Sequence, residues 1–452
     1  IPRSSVRRRV FRQTPDHAIP RSTERISFRG RSSTARTIDA MPATRSTDPE
    51  GRPRRAGGAR RLSSAQIQER IDLAAEQVLA AEGVDGLGLT RVADVADLSN
   101  GPLYGRYDSA EDIALDLWDR KLRDHGARLQ DTVDAYLFGD DPTVPDALIR
   151  EFTTPSAASI GFAEVLAVAR RFPILAETVR TDVEARLATT KERFPDVPDT
   201  LLGAAAMLPV GIALLRDVIP GAPTRWERAL ELGRELFQPD TDWRIPDRDV
   251  PPLAVERPNP TTGDELLDGF VLAIMDVVSK VGYERATAHR IGRAAGRSFS
   301  SAYALVTSKD ELMALAIGAT LTEAAAIGDV TLLGLADDEY IDAVCALWSG
   351  FVDDANRSIR HLRIESFLAA AHHADLGERM RASYQVAIDA VTAALGTDDP
   401  VVVERRIAFW QLTRAVGTGL TILSINSPVL QRVNWAQYSC AAMLLNASTL
   451  PR

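Results

Sequence analysis

The sequence contains little cysteine and no long apolar run, and each shortage excludes a class of protein. Only two cysteines, Cys345 and Cys440, occur in 452 residues. No disulfide framework is therefore expected, and the chain suits a reducing compartment. The longest weakly polar run, Leu201 to Leu215, contains Pro209 and is shorter than the roughly 20 residues that a bilayer requires. We expect a cytoplasmic chain without a membrane partner.

Recognisable catalytic and cofactor-binding patterns are also missing. No Ser/His/Asp or Cys/His set, glycine-rich phosphate loop or carboxylate pair of defined spacing occurs, so no enzyme activity, catalytic residue or cofactor is expected. His361, His372 and His373 are poor metal ligands, because adjacent helical side chains point about 100° apart and no further ligand set accompanies them.

Aromatic residues make up only 6% of the chain, and the tryptophans are scattered singly. A tryptophan at helical spacing favours a core position over the lining of an apolar effector pocket, because large aromatics dominate core burial. Pocket lining stays the alternative for Trp118, Trp226, Trp348, Trp410 and Trp435.

Charge is distributed unevenly along the chain. The formal net charge is −9, yet residues 1–61 hold 16 arginines against 5 acidic residues. This segment has few apolar residues and should be disordered. Residues 1–40 precede Met41, a plausible start, so they need not be native. Arg60 and Arg61 fit an arm that lies on DNA phosphates or in a minor groove, and a solubilising tail is the alternative.

A helix-turn-helix pattern occupies residues 89–117. Thr90 is predicted to cap a short helix, Ser99 a second helix over residues 100–107, and Ser109 a third. In the second helix, leucine and tyrosine four residues apart are expected to pack inward. Small and polar residues cover its other face, which suits contact with base edges in a major groove.

Together with residues 71–83, this stretch resembles the DNA-binding domain of the TetR (tetracycline-repressor) family of transcriptional regulators. Two positions depart from the family pattern: Asp97 replaces the usual turn glycine, and Ala110 the usual lysine. Aspartate can adopt the left-handed conformation at moderate cost, so the turn should survive, whereas the lost lysine weakens one phosphate contact. The resemblance implies DNA binding by Thr90, Arg91, Ser99, Asn100, Gly101, Pro102, Leu103, Tyr104 and Arg106.

A second copy of this pattern follows a proline-rich break at residues 238–263. Placing Gly282 on Gly83 gives an offset of 199 that continues without a gap over roughly 30 residues. Here Gly296 and Lys309 supply the turn glycine and the lysine, and Ser308 is predicted to form a full capping box with Glu311. A head retained only as a structural remnant is the alternative. The corresponding DNA-binding set is His289, Arg290, Ser298, Phe299, Ser300, Ser301, Tyr303 and Lys309.

The duplication extends beyond the heads, since Glu164 and Glu365 lie 201 residues apart, as do Glu177 and Glu378. Helical periodicity predicts an all-α fold, with helices in the first bundle at roughly 157–171, 174–193, 199–219 and 223–237. Taken with this repeat, the resemblance implies two tandem TetR-like units. The predicted order is a disordered Arg-rich arm (1–61), a first head (62–120), a helical effector and interface domain (121–237), a Pro-rich linker (238–263), a diverged second head (264–318) and a second helical domain (319–452).

The resemblance implies a sequence-specific, ligand-responsive transcriptional repressor. Its expected partners are a double-stranded DNA operator and an unidentified small-molecule effector. Members of this family normally act as two-fold dimers on two half-sites, so one such chain should supply both halves as a pseudo-dimer, with further self-association left open. The alternative is a helical scaffold or ligand-sequestering protein in which one or both heads are inactive.

Overall fold

The fold is helical throughout the part of the chain that the computed structural model describes. No strand occurs there, which confirms the all-α class. The Arg-rich arm with Arg60 and Arg61, most of the proline-rich linker and Cys440 lie outside this part. The described residues are 62–219, 223–237, 260, 262–326, 337–350, 352–393, 395–433, 435 and 438.

Three helices form the first head: α1 (Ser64–Glu82), α2 (Leu89–Val95) and α3 (Asn100–Tyr104). A capping box fixes the start of α1. The Ser63 side chain accepts a hydrogen bond from the Gln66 backbone N–H at 3.2 Å, and the Gln66 side chain accepts one from the Ser63 N–H at 2.9 Å.

The turn between α2 and α3 confirms one prediction, while two helix ends were predicted wrongly. Asp97 has φ 52° and is the one non-glycine residue with positive φ among those described, so aspartate does replace the turn glycine. Thr90 does not cap α2, because the helix begins at Leu89 with Gly88 as its N-cap. The helix predicted over residues 100–107 ends earlier, at Tyr104.

A nearly continuous helical path leads out of the first head through α4 (Ala110–Leu117), the π-helical turn Trp118–Leu122 and α5 (Arg123–Phe138). Ser109 caps α4 as predicted, since its hydroxyl accepts from the Asp112 N–H at 3.2 Å. The π-helical turn is a local widening that periodicity does not reveal.

The first bundle confirms the four predicted helices to within a few residues and adds a short one. The added helix buries Leu148 and Phe152, which lie four residues apart on one face. The bundle consists of α6 (Asp146–Thr153), α7 (Ala157–Val168), α8 (Pro173–Arg193), α9 (Asp199–Leu215) and α10 (Pro223–Leu236).

The second half of the chain repeats a head followed by longer helices. A 3₁₀ helix stands where the first head has α3. Its elements are α11 (Glu265–Val281), α12 (Ala288–Ala294), the 3₁₀ helix Phe299–Ala304, α13 (Lys309–Ala326), α14 (Asp337–Gly350), α15 (Arg357–His372), α16 (Ala374–Ala393), α17 (Pro400–Asn426) and α18 (Pro428–Gln431).

The caps of the second head agree with the sequence in part. Gly296 occupies the turn with φ 66°, as predicted. The Ser308 hydroxyl accepts from the Glu311 N–H at 3.0 Å. The predicted reciprocal bond is wrong, because the Glu311 carboxylate accepts from the N–H of Thr307 at 2.7 Å rather than from Ser308.

The two bundles share one hydrophobic core, in which α9 and α17 cross at very short range. A Cβ atom placed on Gly211 would overlap the carbonyl oxygen of Ala415, and one placed on Gly419 would overlap that of Met207. Since neither position has room for a side chain, the crossing depends on both glycines.

The most apolar helix of the first bundle, α9, belongs to this core. Almost all of its side chains are buried, including that of Pro209. Among the described residues no single helix has the length and apolar character needed to cross a membrane, although the bent pair Asp146–Thr153 and Ala157–Arg171 meets that test when taken together.

Candidate nucleic-acid interface

The third helix of the first head, α3, carries a polar face that no other described element covers. Tyr104 keeps 62% of its surface accessible, and its hydroxyl can donate or accept a hydrogen bond. Asn100 adds an amide with both capacities. These are the groups that can pair with the edges of bases. The exposed residues of this face are Ser99, Asn100, Gly101, Tyr104 and Arg106, with Pro102 half-buried.

Leu103 does not belong to this surface, which corrects its inclusion in the predicted DNA-binding set. Its side chain is fully buried, because α3 turns this position toward the core of the head. Tyr107 also points inward, as predicted. Its hydroxyl donates to Oδ2 of Asp116 at 2.6 Å and accepts from Nε2 of Gln68 at 2.8 Å. These bonds join the chain just after α3 to α1 and α4.

The two cationic side chains beside α3 are already engaged within the head. Nε of Arg91 donates to Oε1 of Glu82 at 2.8 Å. Arg106 donates to the carbonyl oxygen of Pro102 at 2.8 Å and to the Ser64 hydroxyl at 3.1 Å. Thr90 is exposed next to Arg91. A phosphate would therefore have to share Arg91 with a carboxylate.

We call α3 of the first head and residues 298–304 of the second head the recognition segments. The second head differs most from the first in this segment. Phe299 is buried and meets Phe270 edge-on, with ring centroids 5.9 Å apart, so its predicted contact with DNA is wrong: the ring fills the core of the head. Ser298 and Ser300 are exposed and bond each other at 2.6 Å, while Ser301 is half-buried. The side chain of Tyr303 lies outside the described residues.

Basic residues flank that segment on α12. His289 and Arg290 are exposed, as the prediction requires. A phosphate contact by Lys309 would have to compete with contacts that this side chain already makes within the head. Lys309 is half-buried, its Nζ lies 3.8 Å from the centre of the Tyr283 ring, and it donates to the Tyr283 carbonyl oxygen at 3.1 Å. Burial lowers the pKa of Lys309.

An ionic cluster with a buried centre at Glu365 and a partly exposed edge at Arg285 joins both heads to both bundles. Arg171 of the first bundle donates to Asp85 in the first head at 2.7 Å and, through Nε, to Glu365 of the second bundle at 3.1 Å. Arg170 also pairs with Glu365. Asp85 in turn accepts from Nε of Arg285 in the second head at 2.8 Å.

A second set of contacts, at His372, joins the second bundle to the first bundle and the first head. We call this set and the ionic cluster the two bridges. Nε2 of His372 lies 2.7 Å from Oε1 of Glu164, and its Nδ1 lies 3.1 Å from the carbonyl oxygen of Ala81. Both partners are acceptors, so the geometry suits an imidazolium that donates from both nitrogens. Desolvation acts to lower the pKa of His372, but the hydrogen bond and charge of Glu164 outweigh it and raise the pKa.

Sequence reasoning located the two glutamates of these bridges only as a repeat and gave them no role. A signal was present, because Glu164 and Glu365 stand in otherwise apolar segments, where a buried carboxylate requires a charged or hydrogen-bonded partner. Their cationic partners differ in chemistry and could not be paired from spacing alone. The tryptophans lie where the core interpretation placed them, since all five of those discussed are buried.

Comparison with known proteins adds no assignment: no family model matches the chain, and no curated protein is significantly similar to it.

Proposed function

We propose that the chain is a sequence-specific DNA-binding transcriptional regulator, a ligand-responsive repressor built from two fused TetR-like units that act as a single-chain pseudo-dimer. The observation that carries the DNA-binding part is the first head. There α2, the left-handed turn at Asp97 and α3 present an exposed polar face backed by a buried leucine, the arrangement that major-groove recognition uses.

Reciprocal contacts support the pseudo-dimer. In a two-fold interface, residue i of one copy meets residue j of the other, and j meets i in return. The crossing of α9 and α17 has this character, because Gly211 abuts Ala415 and Gly419 abuts Met207. At an offset of 208 residues, Gly419 is the counterpart of Gly211 and Ala415 is the counterpart of Met207.

The junctions between heads and bundles repeat the same exchange. Gly83, at the end of α1, faces His372 of the second bundle, and Gly282, at the end of α11, faces Arg171 of the first. Each of these cations pairs with a glutamate of the opposite bundle, Glu164 or Glu365. Every member has its counterpart about 200 residues away.

These bridges supply a route for regulation. A ligand weakens DNA binding only by favouring an arrangement of heads that fits the operator less well. Because Asp85 contacts both Arg171 and Arg285, a shift between the bundles would move the heads relative to each other. The ligand-responsive part of the proposal rests on the resemblance of the helical domains.

Selection of bound duplexes from a random DNA library tests the proposal. We expect enrichment of a defined sequence that the full chain binds at least 1,000-fold more tightly than random duplex, the lower end of specific recognition at about 10³. Binding without enrichment, or no binding of duplex DNA at physiological salt, would instead favour the scaffold or ligand-sequestering alternative.

A further inference from the structure

The surface beside the recognition segment of the first head is acidic. Asp94 and Asp97 are exposed on the α2 side, and Arg91 is bonded to Glu82. Asp97 has one cationic neighbour, Arg70, at 4.0 Å. Phosphates approaching this side of the head therefore meet more carboxylates than available guanidinium groups, which opposes backbone contact.

The matched surface of the second head carries the opposite charge. At the offset of 199, Asp94 is replaced by Arg293 and Asp97 by Gly296. Arg293 is exposed and forms no ion pair within the described ranges. One residue beyond the turn, Arg297 stands at the position of Leu98 and is likewise exposed and without an ion pair in that part of the chain.

Arg290 adds to this surface because its counter-ion is missing. Val281 occupies the position that Glu82 holds in the first head. Arg290 therefore donates to the carbonyl oxygen of Arg285 at 2.9 Å and to no carboxylate. Together with His289 and Arg293, it lines an open groove. We call Arg290, Arg293 and Arg297 the basic face of the second head.

The recognition segments differ in the complementary sense. In the first head α3 offers an exposed amide and phenol, whereas in the second head the segment has turned Phe299 inward and leaves Ser298 and Ser300, which bond each other. Base edges are read by such polar groups, while exposed guanidinium groups bind phosphates whatever the sequence. An arginine without a carboxylate partner binds a phosphate without first losing an ion pair.

We infer that the two heads divide the work on duplex DNA: the second head anchors the chain to the phosphate backbone through its basic face, and the first head reads the bases. This inference rests on the proposed DNA-binding function. It assigns the second head a partner chemistry, the sugar-phosphate backbone, instead of a second set of bases.

The test compares salt dependence for the full chain and the double variant Arg293→Gln/Arg297→Gln, with Arg432→Gln as a control for an exposed arginine of the second bundle. Affinity for the selected duplex and for a random duplex of equal length is measured across a salt series. Each lost phosphate contact should reduce the slope of log affinity against log salt by about 0.9. We expect a reduction on both duplexes, with the ratio of the two affinities unchanged, and no change for Arg432→Gln.

Other results would overturn the division of work in distinguishable ways. If the wild-type chain binds the selected duplex and the double variant keeps the wild-type slope, the basic face is not an anchor, although the DNA-binding function stands. If the double variant loses only its preference for the selected sequence, the second head reads bases. If the wild-type chain binds neither duplex, the proposed function fails and this inference with it. Circular dichroism checks that the variants stay folded.

Discussion

At the scale of single residues, Asn100 and Tyr104 are the side chains whose substitution should affect the proposed DNA binding without affecting the fold. Both are exposed on α3, and the head is held instead by Leu103 and Tyr107. Asn100→Ala or Tyr104→Ala should cost about 1–3 kcal/mol on the selected duplex, the usual value of a lost base contact, and leave binding to random duplex nearly intact. Gel-shift titration measures both, with Arg128→Gln on α5 as the control. Equal losses on the two duplexes would contradict a role in base reading.

His372 gives the stability of the protein a dependence on pH. Its pKa is raised in the folded state, so its contribution to stability is complete below the unfolded value of about 6.5 and is lost as pH rises through the folded pKa. Burial lowers the pKa of His361 to about 3. His361 therefore lowers the stability of the protein as pH falls below 6.5, because the folded state resists its protonation. The change expected above pH 6.5 is due to His372 and not to His361.

The measurement is the free energy of unfolding by urea at pH values from 6 to 8.5. Wild-type protein should lose stability across this interval relative to Glu164→Gln, in which the pairing charge is absent and no longer raises the pKa of His372. Comparing the two proteins cancels the contributions of other groups that titrate there. Parallel curves would show that Glu164 does not hold the proton on His372.

At the scale of elements, the cluster around Glu365 should dominate the stability of the junction between the bundles. Glu365 is buried, and the side chains of Arg170 and Arg171 are nearly so. Glu365→Gln therefore leaves Arg170 facing a neutral amide in a poorly solvated site, while Arg171 keeps Asp85 as its carboxylate partner. Breaking such a pair from one side costs about 3–5 kcal/mol. Urea unfolding checks this loss. Glu177→Gln, which breaks an exposed pair with Arg180, should change stability little, and an equally small effect at Glu365 would contradict the argument.

The cap at Ser109 and the turns at Asp97 and Gly296 were predictable from the sequence because their determinants are local. Ser109, Asp97 and Gly296 act within four residues of their own positions. The fate of Phe299 was not predictable in this way. Whether that ring faces DNA or Phe270 depends on a 3₁₀ segment replacing an α-helix. The two helix types differ in residues per turn, so the same sequence points its side chains in different directions in each.

Contacts between distant elements were hidden for a different reason. The heads repeat at an offset of 199 residues and the crossing helices at 208. Insertions between them therefore mean that the offset which aligns the two heads does not align the two crossing helices. The bridging cations also differ, with guanidinium at Arg171 and imidazole at His372. Spacing can reveal a repeat, but it does not reveal that each copy contacts the other through chemically different partners.

For the whole molecule, the reciprocal contacts bear on how many chains bind one operator. The α9 surface that would face a second copy in a two-fold dimer is covered by α17 of the same chain, at a distance that excludes even a methyl group on Gly211 or Gly419. The ion pair between Asp85 and Arg285 also joins the two heads. Under the proposed function, a single chain would hold the paired arrangement that an ordinary dimer gains only by association.

We expect one chain to occupy one asymmetric operator. An ordinary homodimer presents identical recognition helices and selects a palindrome, whereas here Asn100, Pro102 and Arg106 of one head correspond to Phe299, Ser301 and Leu305 of the other. Native mass measurement of the complex with the selected duplex should give one chain, and the selected sequence should be conserved on one half-site and weakly defined on the other, about one helical turn or a multiple of it away. Two chains on a perfect palindrome, with affinity unaffected by Arg290→Ala, would show that pairing occurs between molecules and that the second head is not needed on DNA.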